Sequence, residues 1–230
     1  MLVYGKNVAK DYFLNFSKDI RRIIIQESFS DKELISFIEK SNLPVKRCLN
    51  KDFNKLVDGN HQGIILDVTD YKYFNIEDAL NSELIVILDH LEDPHNFGAI
   101  IRTCEAAGVD CIVIPSDRSV NVNATVMKTS AGALTRMKIV MVSNLVNFID
   151  KIKKSGFWVV GTAMQGTDYR NINYDGKMAL VIGNEGKGMS NVVKKSCDFI
   201  ASIPMKGEIN SLNASVATGI MIYEMIRNRK

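Results

Sequence analysis

Asn96, Arg102, Glu185, Ser211 and Asn213 are polar side chains able to bind or position a ligand, and they stand in three separate segments. The guanidinium of Arg102 offers a planar fork that grips a phosphate through two hydrogen bonds. A hydroxyl held in this way can be brought in line with a donor, and such positioning supplies much of the acceleration in group transfer. Glu185 can accept hydrogen bonds from Asn96 or Arg102, whereas Ser211 and Asn213 suit either a site wall or the cap of the helix that follows. Taken singly, each has a plainer reading: an arginine in an apolar helix is most often solvated or ion-paired, and Glu208 reads as a surface carboxylate.

Glu185 lies in the run Gly183-Asn184-Glu185-Gly186-Lys187-Gly188-Met189. Glycines after a strand let backbone N–H groups approach a ligand closely. This run has neither the GxGxxG spacing of a dinucleotide fold nor the Lys-Ser/Thr ending of a P-loop. It also follows a late strand, whereas the dinucleotide fingerprint opens the first βα turn, so a nucleotide-dependent oxidoreductase is disfavoured. Alone, the run reads as a tight strand-to-helix turn. Ile203 and Met205 end the next strand and Leu212 begins the next helix, so all can reach the carboxyl edge of one sheet, where ligands bind.

The stretch Asp89-His90-Leu91-Glu92-Asp93-Pro94-His95 crowds carboxylates and imidazoles together. Its residues lack helical i, i+4 pairing and Pro94 bends the chain within it, so a metal site is not expected. His95 is expected in a loop facing the substrate.

The elements that must position these residues fall into two series. The first alternates strand and helix over about seventy residues: strands at 20–25, 45–49 and 63–68, helices at 30–43 and 52–57. Ser30, with Glu33 three residues on, reads as a capping box opening the first of those helices. A polar stretch at 73–83 is taken as a linker, between a small domain at 1–72 and a large one at 84–230. The second series predicts strands at 84–89, 111–115, 138–142, 157–161, 179–183 and 199–204. Its Val and Ile runs show no alternation, as expected of parallel strands buried on both faces by helices. Within 97–108, Ile100, Cys104 and Ala107 share an apolar stripe, Arg102 points elsewhere, and Gly108 suits the end of the helix. The last helix is apolar almost all the way round and should be covered on more than one side.

Composition sets wider bounds. The 230 residues, 46% hydrophobic and 24% charged, suit a globular protein with a sizeable core. A net charge of +3 permits a polyanionic partner without demanding one. Cys48, Cys104, Cys111 and Cys197 are too far apart for a CxxC pair and read as reduced core residues of a cytoplasmic protein. The first residues lack the apolar run of a signal peptide, and no later stretch reaches membrane-spanning length.

Three segments together carry more than their parts: DHLEDPHNFGAIIRTCEAAG (89–108), LVIGNEGKGMS (180–190) and SIPMKGEINSLNASVATGIMIYE (202–224). They resemble, in order, the three motifs of the SpoU (TrmH-like, SPOUT) RNA ribose 2′-O-methyltransferases, the first of which reads N-x-G/A-x-x-x-R-T. The resemblance implies S-adenosylmethionine as methyl donor, held by Gly183, Ile203 and Leu212, with Met205, Ala163 and Met164 beside them. It implies catalytic roles for Arg102, Asn96, Glu185, Ser211 and Asn213, and in the family the arginine is also proposed as general base. It further implies a homodimer formed through the carboxyl-terminal region and a trefoil knot there, which periodicity cannot reveal because threaded chains are rare.

Tyr4-Gly5-Lys6-Asn7 and His61-Gln62-Gly63-Ile64 resemble the ends of the L30e-like accessory domain of bacterial large-subunit rRNA guanosine 2′-O-methyltransferases. Arg21, Arg22, Lys46, Arg47 and Lys51 are candidate phosphate contacts there, against the plain reading of a solvated basic face. The expected architecture is thus α/β throughout: a SPOUT-type parallel sheet with helices on both faces, preceded by a small α/β domain. The expected substrate is a guanosine of 23S rRNA. A tRNA ribose substrate, or a non-catalytic RNA-binding protein that keeps the fold, are the alternatives.

Overall fold

A computed structural model describes residues 1–53, 55–57, 59–209 and 211–228, which pack as two compact units. The first unit holds Met1–Lys72 together with Val122–Gly132, and the second holds Tyr73–Asn121 and Ala133–Lys230.

In the first unit the elements are β1 (Leu2–Tyr4), α1 (Lys6–Asn15), β2 (Ile20–Gln26), α2 (Lys32–Ser41), β3 (Val45–Cys48), α3 (Asn50–Phe53) and β4 (Ile64–Val68). Their sheet runs β1-β4-β2-β3, antiparallel except where β2 meets β3. Ile23, Ile24 and Ile25 of β2 and Ile64, Ile65 and Leu66 of β4 are buried and form its centre. The helix expected at 52–57 is instead the short α3, and Asn54 lies outside the described residues.

The cap of α2 is Asp31, one residue beyond the expected Ser30. Its carboxylate accepts from Leu34 N at 3.2 Å and pairs with Lys6 at 3.1 Å, two partners where a serine hydroxyl would satisfy one. The two stretches that carry the small-domain resemblance meet in space. Gly5, at φ +99, donates its N–H to Ile64 O, and Lys6 N donates to the Gln62 side chain at 2.9 Å.

The second unit begins with α4 (Ile76–Leu80), capped reciprocally by Asn75 and Asp78, within the stretch read as a linker. Then follow β5 (Leu84–Asp89), α5 (Pro94–Ala106) and β6 (Cys111–Pro115). Next comes α6 (Ala124–Thr129), which packs against β1 of the first unit, with the Lys128 ammonium 5.3 Å from the Tyr4 ring centre. The chain then returns to the second unit for β7 (Lys138–Val142), α7 (Leu145–Lys154), β8 (Phe157–Asp168), β9 (Lys177–Gly183), α8 (Asn191–Ser196), β10 (Phe199–Ser202) and α9 (Ala214–Asn228).

All strand pairs of this six-stranded sheet, ordered β10-β8-β9-β5-β6-β7, are parallel. Every residue of β5 and β6 is buried, as their unbroken apolar runs require. Residues of α4, α7 and α8 cover one face, with Phe148, Ile149, Ile152 and Val193 at its centre. On the last helix Thr218, Met221, Ile222 and Met225 are buried, and α9 packs against α5 and β9.

One strand departs from expectation. β8 continues past Gly161 to Asp168, and its pairing with β10 jumps from Ile200↔Gly161 to Ala201↔Thr167. Residues 162–166 therefore bulge out of the ladder, and bulges of this kind re-aim side chains at sites. Their polar and glycine content hides the strand from an apolar-run reading.

Candidate active site

β9 ends at Gly183, where the sheet gives way to the glycine run. A Cβ at Gly183 would lie 2.2 Å from Met189 N and 2.3 Å from Gly188 C, so backbone occupies the space any side chain would need. Asn184 closes the loop on itself: its backbone exchanges hydrogen bonds with Gly188, and its Oδ1 accepts from Gly186 N at 2.9 Å and Lys187 N at 3.2 Å. Glu185 is thereby held out at the tip.

Asp93 caps α5 by accepting from His95 N, Pro94 occupies the first turn, and Asn96 follows, 8% exposed. Pro94 thus opens a helix, where its missing N–H costs nothing, and His95 sits exposed in the first turn of α5 instead of in a loop. Asn96 Nδ2 donates to Glu185 Oε1 at 3.0 Å, while Asn96 Oδ1 accepts from Asn213 Nδ2 at 2.9 Å. Asn213 Oδ1 in turn accepts from Ser215 N at 2.9 Å. One side chain therefore serves both uses allowed by the sequence, capping α9 and joining the polar cluster. Asn96 is the bridge that ties all three segments together.

Beside this bridge lies a cleft of about 1180 Å³ at the carboxyl ends of β8, β9 and β10. Gly183, Ile203, Leu212, Met205, Ala163 and Met164, the six expected donor contacts, all line it, as do Glu185 and Ser211. Ala163 and Met164 arrive there on the β8 bulge. Met164, Met205 and Leu212 present exposed apolar surface to the cleft, and Lys187 and Lys194 add positive charge at its edge.

Arg102 is neither hydrogen-bonded to this cluster nor among the residues that line the cleft. It lies six residues beyond Asn96, about 9 Å further along the helix axis. There it is exposed, with no hydrogen bond or ion pair to another described residue. Ile100 and Cys104 are buried on the opposite stripe, as the apolar spacing required.

Asn184 and Gln165 also line the cleft, and neither was among the expected site residues. Asn184 adjoins an obligate glycine and was visible as a turn-forming residue. Gln165 sits in a bulge that has no sequence signature. Among the candidate phosphate contacts of the first unit, all exposed, Arg21 and Arg22 both pair with Asp67 at 3.3 Å, which leaves Lys46, Arg47 and Lys51 as the cations of that set with no ion pair to another described residue.

A parallel sheet whose carboxyl edge carries a glycine loop, an open cleft and an asparagine-glutamate bridge defines a ligand-binding α/β enzyme, and comparison with known proteins narrows it to the RNA methyltransferases. Residues 83–223 match the SpoU rRNA Methylase family and residues 2–74 match the RNA 2'-O ribose methyltransferase substrate binding domain. The chain belongs to the SpoU rRNA methylase family.

A TrmH family tRNA/rRNA methyltransferase of Staphylococcus aureus (strain COL) is 38% identical, covering 99% of this chain and 96% of its own length. The AdoMet-bound rRNA methyltransferase from Sinorhizobium meliloti matches in structure with a TM-score of 0.81 at 26% identity, over 98% of this chain and 86% of that one. The Aquifex aeolicus TrmH/SpoU tRNA modifying enzyme is 33% identical with a TM-score of 0.58, over 66% of this chain and 80% of its own.

Proposed function

We propose that this protein transfers a methyl group from S-adenosylmethionine to a ribose 2′-hydroxyl in structured RNA, a guanosine of large-subunit rRNA. The observation that carries the reading is the Glu185–Asn96–Asn213 bridge, which joins the three family motifs at the wall of one cleft. The cleft suits such a donor. Met164, Met205, Ile203 and Leu212 offer apolar surface for an adenine ring, and Gly183 lets backbone come close. When bound, the donor supplies an electrophilic methyl on a sulfonium.

The chain's own residues then position the acceptor. The free guanidinium of Arg102 is available to grip an RNA phosphate bidentately and set the neighbouring hydroxyl on line. Glu185 and Asn213, each fixed through Asn96, hold the loops that border the cleft. Lys187 and Lys194 favour a polyanion at the rim. A guanidinium offers donors and no acceptor, so a phosphate-assisted route for the hydroxyl proton fits Arg102 better than direct base catalysis.

Ribosomal RNA is favoured over tRNA because the Sinorhizobium rRNA enzyme matches both units of this chain, whereas the Aquifex tRNA enzyme matches about two thirds. Lys46, Arg47 and Lys51 are the cations we assign to RNA contact in the first unit. We also propose the homodimer and the carboxyl-terminal trefoil knot of the family, in a cytoplasmic protein. The dimer reading rests on Val216 and Tyr223, half-exposed on one stripe of α9, and on the half-exposed Trp158 and Phe199, whose rings lie 5.7 Å apart. Incubating the purified protein with labelled donor and either rRNA or tRNA from an unmodified strain tests the whole reading. Label is expected in 2′-O-methylguanosine of rRNA; label in bases, or in tRNA alone, would overturn the assignment.

A further inference from the structure

β5 ends on Asp89 and His90 follows it, two residues that the proposed reaction does not use. Asp89, in register with Gly183, is 1% exposed, yet its carboxylate is fully employed. One oxygen lies 2.6 Å from His90 Nδ1 and the other accepts from Ser190 N at 2.6 Å. A carboxylate oxygen accepts, so the contact is made by the tautomer with its hydrogen on Nδ1. The carbonyl of His90 accepts from Asn184 Nδ2 at 2.8 Å. This pair of residues therefore holds the glycine loop at both ends, Asn184 through the His90 carbonyl and Ser190 through the Asp89 carboxylate. The Ser190 hydroxyl is buried with no partner and does not cap α8, which leaves the amide contact with Asp89 to fix that end.

His90 makes these contacts from φ +59, in the left-handed region where a side chain is strained and glycine is free. A turn at this point needs no ring, and a glycine would make it more easily. Among the described residues the ring's one hydrogen bond is to Asp89. That bond selects the rotamer in which the carboxylate faces the Ser190 amide.

We propose that His90 is a positioning residue of the donor cleft: by donating Nδ1–H to Asp89 it orients the carboxylate that captures Ser190 N, and so sets the loop that carries Glu185. This inference rests on the donor reading for its ligand, but the loop it concerns can be observed without donor. His90→Gly relieves the backbone and removes the ring, while His90→Asn tolerates the left-handed region and can donate an amide hydrogen in place of the imidazole.

For His90→Gly we expect a melting temperature equal to or above that of the parent protein. Exchange of the Ser190 amide should be about tenfold faster, and S-adenosylmethionine binding in calorimetry about tenfold weaker. His90→Asn should recover most of both losses. Unchanged amide exchange in His90→Gly, or equal losses in the Gly and Asn variants, would overturn the inference. Absence of donor binding in the parent protein would overturn the donor reading instead and leave the exchange comparison in force.

Discussion

At the scale of residues, Asn96 and Arg102 of α5, both in the first motif, differ in what they touch. Asn96 is buried and spends its whole amide inside the protein, whereas Arg102 spends nothing there. Arg102→Ala is therefore expected to leave folding and donor affinity intact while lowering methyl transfer about 10²–10³-fold, the usual cost of losing one charged positioning group. Parallel measurement of donor binding and single-turnover transfer checks this, and near-normal turnover would remove Arg102 from the mechanism. The cysteines make a second residue-scale case. Burial pushes the Cys111 and Cys197 thiols up to about 12 and raises Cys104 as well. All three values lie above that of an unfolded thiol, so the stability they lend is full below pH ~9 and is lost as pH climbs toward the folded values. In the native protein at pH 8 none of the three should react with iodoacetamide over minutes, and all should react in denaturant; rapid native labelling would contradict the burial of Cys104 and Cys111 and the raised thiol of the half-buried Cys197.

Among elements, the turn from β9 into the glycine loop is the one with least tolerance. A methyl group at Gly183 would stand 2.2 Å from a backbone nitrogen, so Gly183→Ala must displace the loop itself and not merely a side chain. We expect a loss of about 2–4 kcal/mol in denaturant unfolding together with weakened donor binding. A variant as stable as the parent would mean that the loop has a second packing. The elements also show what was legible. β5 and β6 could be read from LIVILD and CIVIP because strands buried on both faces have no polar side to disguise them. The extension of β8 through 162–168 and the helix at Ile76–Leu80 were not legible, since the mixed polar residues of TAMQGTD and the five residues of IEDAL give no periodic signal. Asp31 rather than Ser30 caps α2 because Lys6, distant in sequence, rewards the carboxylate.

For the whole molecule, the chain does not keep its units in sequence order, because residues 122–132 leave the second unit to pack in the first. Removal of residues 1–72 deprives α6 of β1, and the remainder is expected to unfold at lower temperature than the second unit does in the intact protein; equal melting in calorimetry would show the contact to be dispensable. Assembly belongs to this scale too. If Trp158 and Tyr223 are covered by a second copy, Trp158→Ser with Tyr223→Lys should reduce the mass seen in sedimentation from two chains to one. A parent protein already sedimenting as one chain would exclude the dimer.

The sequence by itself determined the strands of the large sheet and the apolar stripe of α5, since these follow from side-chain size, polarity and local period, whereas the residues that gather at the cleft were named through the resemblance to the family. Only the tertiary structure decided which of them touch. The Asn96–Glu185 and Asn96–Asn213 bonds span 89 and 117 residues, and the β8 bulge exists only because β10 pairs on both sides of it. Contacts over such distances are set by strand order and loop closure, which no local pattern encodes.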